Sequence, residues 1–526
     1  MPSYLSPGVY VEEVPSGTKP IEGVGTAVCA FVGFTEKGPS NEPTLVTNWT
    51  QYSSNFGGFI DGALLPHAVY GYFLNGGGAA YIVRVGQGTG AAIASGNGAG
   101  ATTKGEIAVA PAVELSTGGE APKPAFRVRA VEGGTADGDI AVEVTDASEP
   151  AEDAFKLVVL KAGKVAETFD NVSTKRGTSN VITAVRQRSK LITVEEVKSA
   201  PLAVPEKGVR IALAGDHPAA PATPAIQPDS YVGDAGARTG FAGLEAFDDV
   251  TMLSVPDLMS AYQAGTLDGE GLRAVQLAMI AHCELMGDRV AILDAPPQLN
   301  PQRIKEWRVG TAGYDSKYAT LYWPWIKIMD PLTGKPVMVP PSGHVAGVWA
   351  RNDETRGVHK APANEVLRGV IDLESGLTKG EHGQLNPVGV NCIRAFPGQG
   401  IRIWGARTLS SDPEWRYLNV RRLFNFIEKS ILNGTNWAVF EPNDFRLWGT
   451  MERAINMFLR RVWRSGALFG ASPEQAFFVR CNEENNPSEN RDVGILTVDV
   501  GIAPVKPAEF IVFRLSQFSD GAGLEE

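Results

Sequence analysis

The chain has 526 residues, 43% of them hydrophobic and 20% charged, with a formal net charge of −11. This length predicts several folded domains, and the acidic balance argues against a general nucleic-acid binder, because affinity for phosphates needs basic surface. The four cysteines form no CxxC pair, no motif indicates a metal, a cofactor or a membrane span, and the N-terminus lacks a secretory signal pattern, so we expect assembly in the cytoplasm.

The first predicted element is a β-strand within PGVYVEEVPSG, residues 7–17. Side chains alternate in character along Val9, Tyr10, Val11 and Glu12. No hairpin partner follows in the sequence, and an unpaired edge strand tends to pair with another chain. We therefore expect this segment to be an arm that is donated to the sheet of a neighbouring subunit.

Four buried strands and one helix are predicted on the two sides of a long insertion. The strands lie in GTAVCAFVGFTEKGP and AAYIVRVG before the insertion and in DDVTMLSVPDL and RVAILDAPP after it, and the helix GLRAVQLAMIAHCELMG ends at Gly287. Strand, helix and strand in this order predict a parallel sheet with crossover helices. Residues 23–90 and 226–400 are interpreted as this α/β core domain.

The insertion, residues 91–225, differs in composition from the rest of the chain. It contains no Trp or Tyr and only three Phe, and its Gly/Ala-rich entrance and Pro/Ala-rich exit are typical of linkers. The alternating runs AFRVRAV, IAVEVTD and FKLVVLKAG predict antiparallel strands. A small inserted β-domain is the interpretation that fits best.

An α/β core invites a catalytic interpretation. Asp294 stands at the end of a predicted parallel strand, where such folds place ligands, and Ser342 and His344 occur in VPPSGHVAGVWARND. These residues suggest the triad of an α/β hydrolase or a subtilisin-like protease. However, Ser342 is not on a GxSxG elbow, and six histidines make some Ser/His/Asp set inevitable. A turn serine and a packed histidine are the favoured interpretation.

Residues 401–505 form the next predicted domain, which is α+β. A helix in SDPEWRYLNVRRLFNFIEKSILNGT is predicted to begin at Asp412 and Pro413 and to end at Asn433 and Gly434. A second helix, in NDFRLWGTMERAINMFLRRVWRSGALFG, also begins at Asn/Asp and ends at glycine. The chain then returns to strands in FFVRCNE and VGILTVDVGIAP.

Basic residues are concentrated in this domain. From Arg394 to Arg464 there are twelve basic and six acidic residues, which leaves −17 for the remainder of the chain. Helical spacing places Arg453, Arg460 and Arg464 on one face of the second helix. An apolar stripe on another face comprises Ile455, Phe458, Leu459 and Val462. The arginine face is either solvated or docks on an acidic partner, because arginine suits repeated contact with carboxylates.

The last predicted strand lies in APVKPAEFIVFRLSQF, residues 503–518. Both of its faces are apolar at the centre, so it needs neighbours on each side. Pro504 and Pro507 are expected to form its joint with the body. The residues predicted to pair with another subunit are Phe510, Ile511, Val512, Phe513, Arg514 and Leu515. Reciprocal donation of two terminal arms, residues 1–22 and 506–526, predicts an open lattice of identical subunits.

Several motifs together resemble the tail sheath proteins of contractile phages and phage-tail-like injection systems. They are YLSPGVYVEEV, PPSGHVAGVWARND, EWRYLNVRRLFNFIEKSI, NWAVFEPND and VGIAPVKPAEFIVFRLSQF. The resemblance implies a multidomain α/β and α+β structural subunit, not an enzyme, with a subtilisin-like core that lacks proteolytic function. It also implies hexameric rings that stack as a helical sheath and contract to drive an inner tube through a target envelope.

The resemblance further implies which partners and surfaces are used. The arms would join neighbouring copies of the chain, and Arg453, Arg460 and Arg464 would contact the inner tube. The other implied partners are baseplate proteins and a terminator or cap protein, whereas nucleic acid, membrane insertion and cofactors are not expected. The inserted β-domain would lie on the outside of a phage tail or of a released injection particle.

Overall fold

The computed structural model describes residues 20–86, 113–116, 124–130, 140–149, 153–161, 164–175, 177, 179–189, 191–196, 210–213 and 227–514. The chain divides into two compact units, residues 1–97 with 224–526 and residues 98–223. The predicted N-terminal arm residues Val9, Tyr10, Val11 and Glu12 lie outside the described residues, as does Leu515.

The described strands are numbered in chain order. They are β1 Val28–Gly33, β2 Thr44–Val46, β3 Ala79–Arg84, β4 Val113–Ser116, β5 Pro124–Ala130, β6 Ile140–Asp146, β7 Ala154–Lys161, β8 Lys164–Ser173, β9 Ile192–Glu196, β10 Arg210–Leu213, β11 Met252–Ser254, β12 Val290–Asp294, β13 Ala319–Trp323, β14 Ile326–Met329, β15 Pro336–Val339, β16 Glu365–Val366, β17 Val370–Leu373, β18 Val390–Phe396, β19 Gly400–Ile403, β20 Phe477–Arg480 and β21 Asp499–Ile502.

The described α-helices are numbered in the same way. They are α1 Trp49–Phe56, α2 Leu65–Asn75, α3 Val181–Arg188, α4 Pro228–Val232, α5 Asp257–Gln263, α6 Gly269–Met286, α7 Pro301–Glu306, α8 Ser342–Arg356, α9 Lys379–Leu385, α10 Leu418–Thr435, α11 Phe445–Arg464, α12 Pro473–Ala476 and α13 Ser488–Asp492. None of the described helices combines the length and the apolar composition that a membrane span needs.

The first unit is built on a large sheet. Among the described residues, nine strands form it in the order β16-β19-β18-β13-β12-β11-β1-β3-β2. Neighbours from β3 to β18 run parallel, while β2, β19 and β16 pair antiparallel at the two edges. The central strands β11, β12 and β13 are buried along their whole length, as in sheets that helices cover on both faces. The predicted parallel sheet is therefore confirmed.

Helix α6 forms where the sequence predicts it. The Asp268 side chain accepts the backbone N–H of Gly271 at 2.7 Å and caps the first turn. At the other end, Gly287 has a φ of 68°, which is the left-handed conformation of a glycine C-cap. The helix then returns the chain to β12, as a crossover connection requires.

Helices α2 and α8 pack closely against each other because two glycines of α8 stand where the helices touch. A Cβ atom at Gly343 would lie 2.4 Å from the backbone of Ala68, and one at Gly347 would lie 2.3 Å from the carbonyl oxygen of Tyr72. Such distances exclude any side chain at these two positions. The glycines of the SGHVAGV segment therefore set how near the two helices approach.

Helix α10 begins later than predicted and ends later. It starts at Leu418, whose backbone N–H donates to Ala406 at 3.0 Å, because residues 412–417 form a turn that folds back onto the preceding loop. Gly434 lies inside the last turn, where a Cβ atom would come within 2.7 Å of the Ile21 side chain. Asp412 and Gly434 are therefore not the helix boundaries.

Helix α11 and the strands after it agree better with the sequence. The Asp444 side chain caps α11 by accepting the backbone N–H groups of Arg446 and Leu447, each at 2.9 Å. Strands β20 and β21 pair antiparallel with each other. The terminal run after residue 503 contributes a single bridge, between Leu468 and Pro504, and no described residue of 505–514 belongs to a strand of the same chain.

The second unit contains two antiparallel sheets in its described residues, β10-β6-β7-β8 and β4-β5-β9. The three alternating runs predicted as strands correspond to β5, β6 and β7, so this prediction is confirmed. The short helix α3 was not predicted. Its Asn180 N-cap accepts the backbone N–H of Ile182 at 3.0 Å, and Val181 and Val185 are buried in the core of this unit.

Candidate assembly interface

The polar group at the end of β12 does not have the arrangement of a catalytic triad. The Ser342 hydroxyl and backbone N–H donate to Asp294 at 2.5 Å and 3.0 Å, and the Ser254 hydroxyl donates to Ser342 at 3.0 Å. Ser342 begins helix α8, so it is not a turn residue, and its exposed fraction is 0%. The His344 ring instead faces Gly71 of α2. Hence the structure joins Asp294 to Ser342 but places His344 elsewhere, and the hydrolase interpretation gains no support.

Burial controls the ionisation of these groups. Burial raises the pKa of Asp294 to about 7, against the lowering effect of the hydrogen bonds from Ser342. Burial also lowers the pKa of His344 to about 4, and the nearby His67 lowers it further. Both environments disfavour charge, which is typical of a packed core.

Much of the basic excess of residues 394–464 is neutralised inside the subunit. Arg422 on α10 forms an ion pair with Asp353 on α8, with 2.9 Å between Nη1 and Oδ1, and Lys429 pairs with Asp288. Arg421 is 1% exposed and lies 4.5 Å from the ring centroid of Trp415. Part of this basic excess therefore holds α10 against the core, and the excess is not by itself a sign of an acidic partner.

Helix α11 has the two faces that the sequence predicts. Arg453, Arg460 and Arg464 are exposed. The residues of the apolar stripe are all buried: Ile455, Phe458, Leu459 and Val462. The structure adds Arg446, which is also exposed and stands seven residues before Arg453. The four arginines span about 27 Å along the helix axis. Arg446, Arg453 and Arg460 stand seven residues apart, and this spacing was the signal that sequence analysis missed.

The N-terminal root, residues 20–26, is held by one fully buried apolar side chain and by hydrogen bonds. Ile21 is 0% exposed and belongs to the core formed by α10 and α11, and its carbonyl oxygen accepts a hydrogen bond from Arg461. The backbone N–H of Val24 donates to the Ser430 hydroxyl at 3.1 Å. Thr26 donates to Asp353 at 2.7 Å, and β1 follows directly. The chain is therefore fixed to the body from Ile21 onward.

The C-terminal root, residues 503–509, is held by hydrogen bonds and one ion pair. Its first part is bound through the backbone: Ala503 donates to Ala476 at 2.8 Å, and Val505 donates to Ala467 at 3.2 Å. Asn419 on α10 donates to the Val505 carbonyl at 3.0 Å. Pro504 therefore lies within the body, where it pairs with Leu468, and is not the joint that the sequence suggested.

The last anchored residue of this root is Glu509. Two nitrogens of Arg407 donate hydrogen bonds to the Glu509 carboxylate, Nε to Oε1 at 2.9 Å and Nη2 to Oε2. The Tyr417 hydroxyl also donates to Oε2, at 3.3 Å. Although burial favours the neutral acid, the hydrogen bonds and the charge of Arg407 lower the pKa of Glu509 below its ordinary value. The carboxylate is therefore charged across the neutral range.

Every described residue after Glu509 is exposed. The large apolar residues that follow are 77%, 74%, 78% and 84% exposed: Phe510, Ile511, Val512 and Phe513. Arg514 is exposed as well. Four consecutive bare hydrophobic side chains are costly in water, since each loses about 1.5–3 kcal/mol of burial free energy. This run is therefore the strongest candidate contact surface in the described part of the chain.

Two family models match adjacent parts of the sequence. The model described as "Phage tail sheath protein central domain" matches residues 264–409, and the model described as "Phage tail sheath C-terminal domain" matches residues 410–518. These two matches identify residues 264–518 as phage tail sheath domains. The second match extends through the exposed run at residues 510–513 and stops before the polar tail.

Curated relatives agree with this family. The chain is 25% identical over 317 residues to a tail sheath protein of Vibrio phage KVP40, covering 56% of this chain and 46% of the relative. It is 25% identical over 306 residues to a putative prophage major tail sheath protein of Pseudomonas aeruginosa, covering 56% of this chain and 73% of the relative. The match thus spans about half the length of the phage KVP40 protein.

Solved structures show the same fold. A sheath complex of an extracellular contractile injection system in its contracted state matches with a TM-score of 0.58 and 23% identity over 98% of this chain and 99% of that chain. The helical sheath of the anti-feeding prophage in its contracted state matches with a TM-score of 0.57 and 24% identity over 97% and 99%. The mixed α/β multidomain architecture is therefore that of sheath proteins.

Proposed function

We propose that the protein is the structural subunit of a contractile sheath, which surrounds the inner tube of a phage tail or of a phage-tail-like injection particle. The observation that carries this proposal is the exposed run Phe510–Phe513, which leaves an anchored root inside a segment that matches the sheath family. A folded subunit that presents such a run is completed by a neighbouring copy. The subunit contracts as part of the assembly and has no catalytic role.

The proposed subunit has a subtilisin-like core domain, residues 23–90 and 226–400, and a tube-proximal domain, residues 401–505. The parallel sheet with α8 packed across it supports the first assignment. Burial of Ser342 behind Asp294 supports a core without proteolytic function. The inserted β-domain, residues 91–225, lies on the outer surface, where it obstructs neither the tube nor the arms.

The two arms link copies into stacked hexameric rings. The pair β20–β21 supports this proposal, because among the described residues it forms a separate two-stranded sheet with which no third strand of this chain pairs. An arm strand from a neighbour would extend it through backbone hydrogen bonds. Residues 9–14 and 510–518 are the proposed arm strands. Subunits so linked stay connected when they rotate and move outward during contraction.

The arginine face of α11 is the proposed contact with the inner tube. Exposed arginines on one helix face suit weak, solvated ion pairs, which are individually easy to release. The other proposed partners are the baseplate and a terminator or cap protein at the two ends of the sheath. The particle is assembled in the cytoplasm and acts as part of a phage tail or after release from the cell.

Deletion of residues 510–526 tests the arm directly. The expected product is a folded, monomeric subunit that forms no tubes, because the described residues that the deletion removes, 510–514, are exposed and both roots stay intact. Sedimentation velocity and negative-stain microscopy would measure assembly, and the melting temperature would report folding. Deletion of residues 519–526, which lie outside the family match, is the control and should assemble normally. Normal tubes from the longer deletion would rule out arm donation through this strand.

Charge reversal of Arg453, Arg460 and Arg464 to glutamate tests the tube contact. We expect cosedimentation with inner tubes to fall at least about tenfold, since attraction to an acidic surface becomes repulsion. Sheath tubes formed without an inner tube should persist, because the buried stripe of α11 is unchanged. The matched control is Arg303→Glu, an exposed arginine on α7. Unchanged binding of the triple variant would remove this face from the proposal.

A further inference from the structure

Residues 506–509 cross from one part of the first unit to another. Before them, Val505 is bound to Asn419 on α10 and to Ala467 after α11. At their end, Glu509 is bound to Arg407, in the loop between β19 and α10. Between these two points the described hydrogen bonds of the segment converge on the Glu509 carboxylate. A single side chain therefore keeps this stretch of backbone on the subunit.

The partner of Glu509 is itself rigidly placed. The backbone N–H of Arg407 donates to Asn391 of β18 at 2.7 Å, and Nη1 donates to the carbonyl oxygen of Asn386 at 3.2 Å. The side chains of Arg407 and Glu509 are 9% and 16% exposed. A planar guanidinium that is held in this way presents two parallel donors to a carboxylate, which is the stronger form of such a pair. The Arg407 guanidinium is therefore a fixed binding site for the Glu509 carboxylate and not a mobile surface side chain.

We propose that the Arg407–Glu509 pair is a clasp that sets where the C-terminal arm leaves the subunit. With the clasp closed, the arm available to a neighbour begins at Phe510. With the clasp open, Val505 becomes the last anchored residue, and the four released residues lengthen the arm by about 13 Å when extended. This inference rests on the proposed arm donation, and it adds that the length of the donated arm can change.

Opening the clasp also changes the surface beneath the segment. Residues 505–511 form one wall of a cavity of about 810 Å³, whose other walls include His382 and Trp404. When residues 506–509 leave, this cavity becomes an open groove on the core. The clasp thus couples the length of the arm to the exposure of the surface that the arm root covers.

The mobility of a nitroxide label at residue 508 of the free, full-length subunit tests the clasp without assembly, because Ala508 is exposed and the four native cysteines are buried, so Ala508→Cys is labelled selectively. In Glu509→Gln, the rotational correlation time of this label should fall several-fold, since the charge-assisted pair that holds the segment is lost. The amide of Val505 should stay protected from hydrogen exchange, because its bond to Ala467 is unaffected. Arg407→Glu should act alike, and combining it with Glu509→Arg should restore the slow motion of the label. The control is Lys379→Gln, an exposed cation of the same cavity wall.

Two results would overturn the clasp. A label mobility at residue 508 that matches the unmodified chain in both single variants would show that the pair does not hold the segment. Faster hydrogen exchange at Val505 would show general unfolding of the root instead of release at one point. These results are independent of assembly, so a deletion of residues 510–526 that still forms tubes would reject arm donation while leaving the label mobility to decide the clasp.

Discussion

The N-terminal root and the C-terminal root attach to the body through side chains of different character. Ile21 is fully enclosed between α10 and α11, and the chain continues directly into the central strand β1. Glu509 is held by a partly exposed ion pair, and exposed apolar residues follow it. Apolar burial does not respond to salt or pH, whereas an ion pair near the surface responds to both.

This difference gives the two proposed arms different mechanical roles. The arm that leaves before Ile21 has an invariant origin, because its anchor is part of the hydrophobic core. The arm that leaves after Glu509 has an origin that one ion pair determines. A lattice built from one fixed and one adjustable connection can keep its subunits linked while the distance between them changes.

Ile21→Ala should produce the largest effect on this comparison. Removing most of a fully buried aliphatic side chain costs about 2–4 kcal/mol through lost burial and the cavity left behind. The melting temperature should fall, and proteolysis within residues 20–26 should become faster at both low and high salt. Differential scanning fluorimetry and limited proteolysis followed by mass spectrometry would measure these effects.

The control for this variant is Glu22→Ala, because Glu22 is exposed and stands next to Ile21 in the chain. Its melting temperature should differ little from that of the unmodified chain. If Ile21→Ala left both the melting temperature and the cleavage rate unchanged, the N-terminal root would not be an apolar anchor, and the contrast between the two roots would disappear.

Elements whose sequence signals are local lie where they were predicted. Helix α6 and strand β12 were predicted correctly, because the Asp268 cap, the apolar periodicity and Gly287 all lie within one stretch of chain. The faces of α11 were likewise predicted from helical spacing alone. These are cases in which local preference and the final packing agree.

Features that depend on distant residues were missed. Helix α10 starts at Leu418 and not at Asp412, and the Leu418 N–H forms a hydrogen bond to Ala406 in the preceding loop. Gly434 is helical and packs against Ile21, which is distant in sequence. Arg407 and Glu509 are far apart in sequence, so nothing in either neighbourhood signals their pairing. Composition showed a basic excess in residues 394–464, but only the fold shows that much of it is paired internally.

The C-terminal root, unlike the N-terminal root, should respond to pH, and this effect on stability should be smaller than that of Ile21→Ala. The pKa of Glu509 in the folded chain lies below its ordinary value of 4.5, because the hydrogen bonds and charge of Arg407 outweigh burial. For a carboxyl whose pKa is lowered on folding, the stabilisation is fully present above the unfolded pKa and is lost as the pH falls through the folded pKa. The clasp should therefore remain closed at pH 4.5 and open at lower pH.

The measurement is the difference in melting temperature between the unmodified chain and Glu509→Gln, which cannot ionise at this position. We expect a difference of about 2 °C above pH 4.5 that shrinks towards zero at more acidic pH, since protonated Glu509 and glutamine then bind Arg407 equally weakly. The corresponding difference for Lys506→Gln, an exposed charge in the same root, should not change over this range. A Glu509→Gln difference that persists unchanged in strong acid would mean that the carboxylate charge does not hold the C-terminal root, and both roots would then depend on packing.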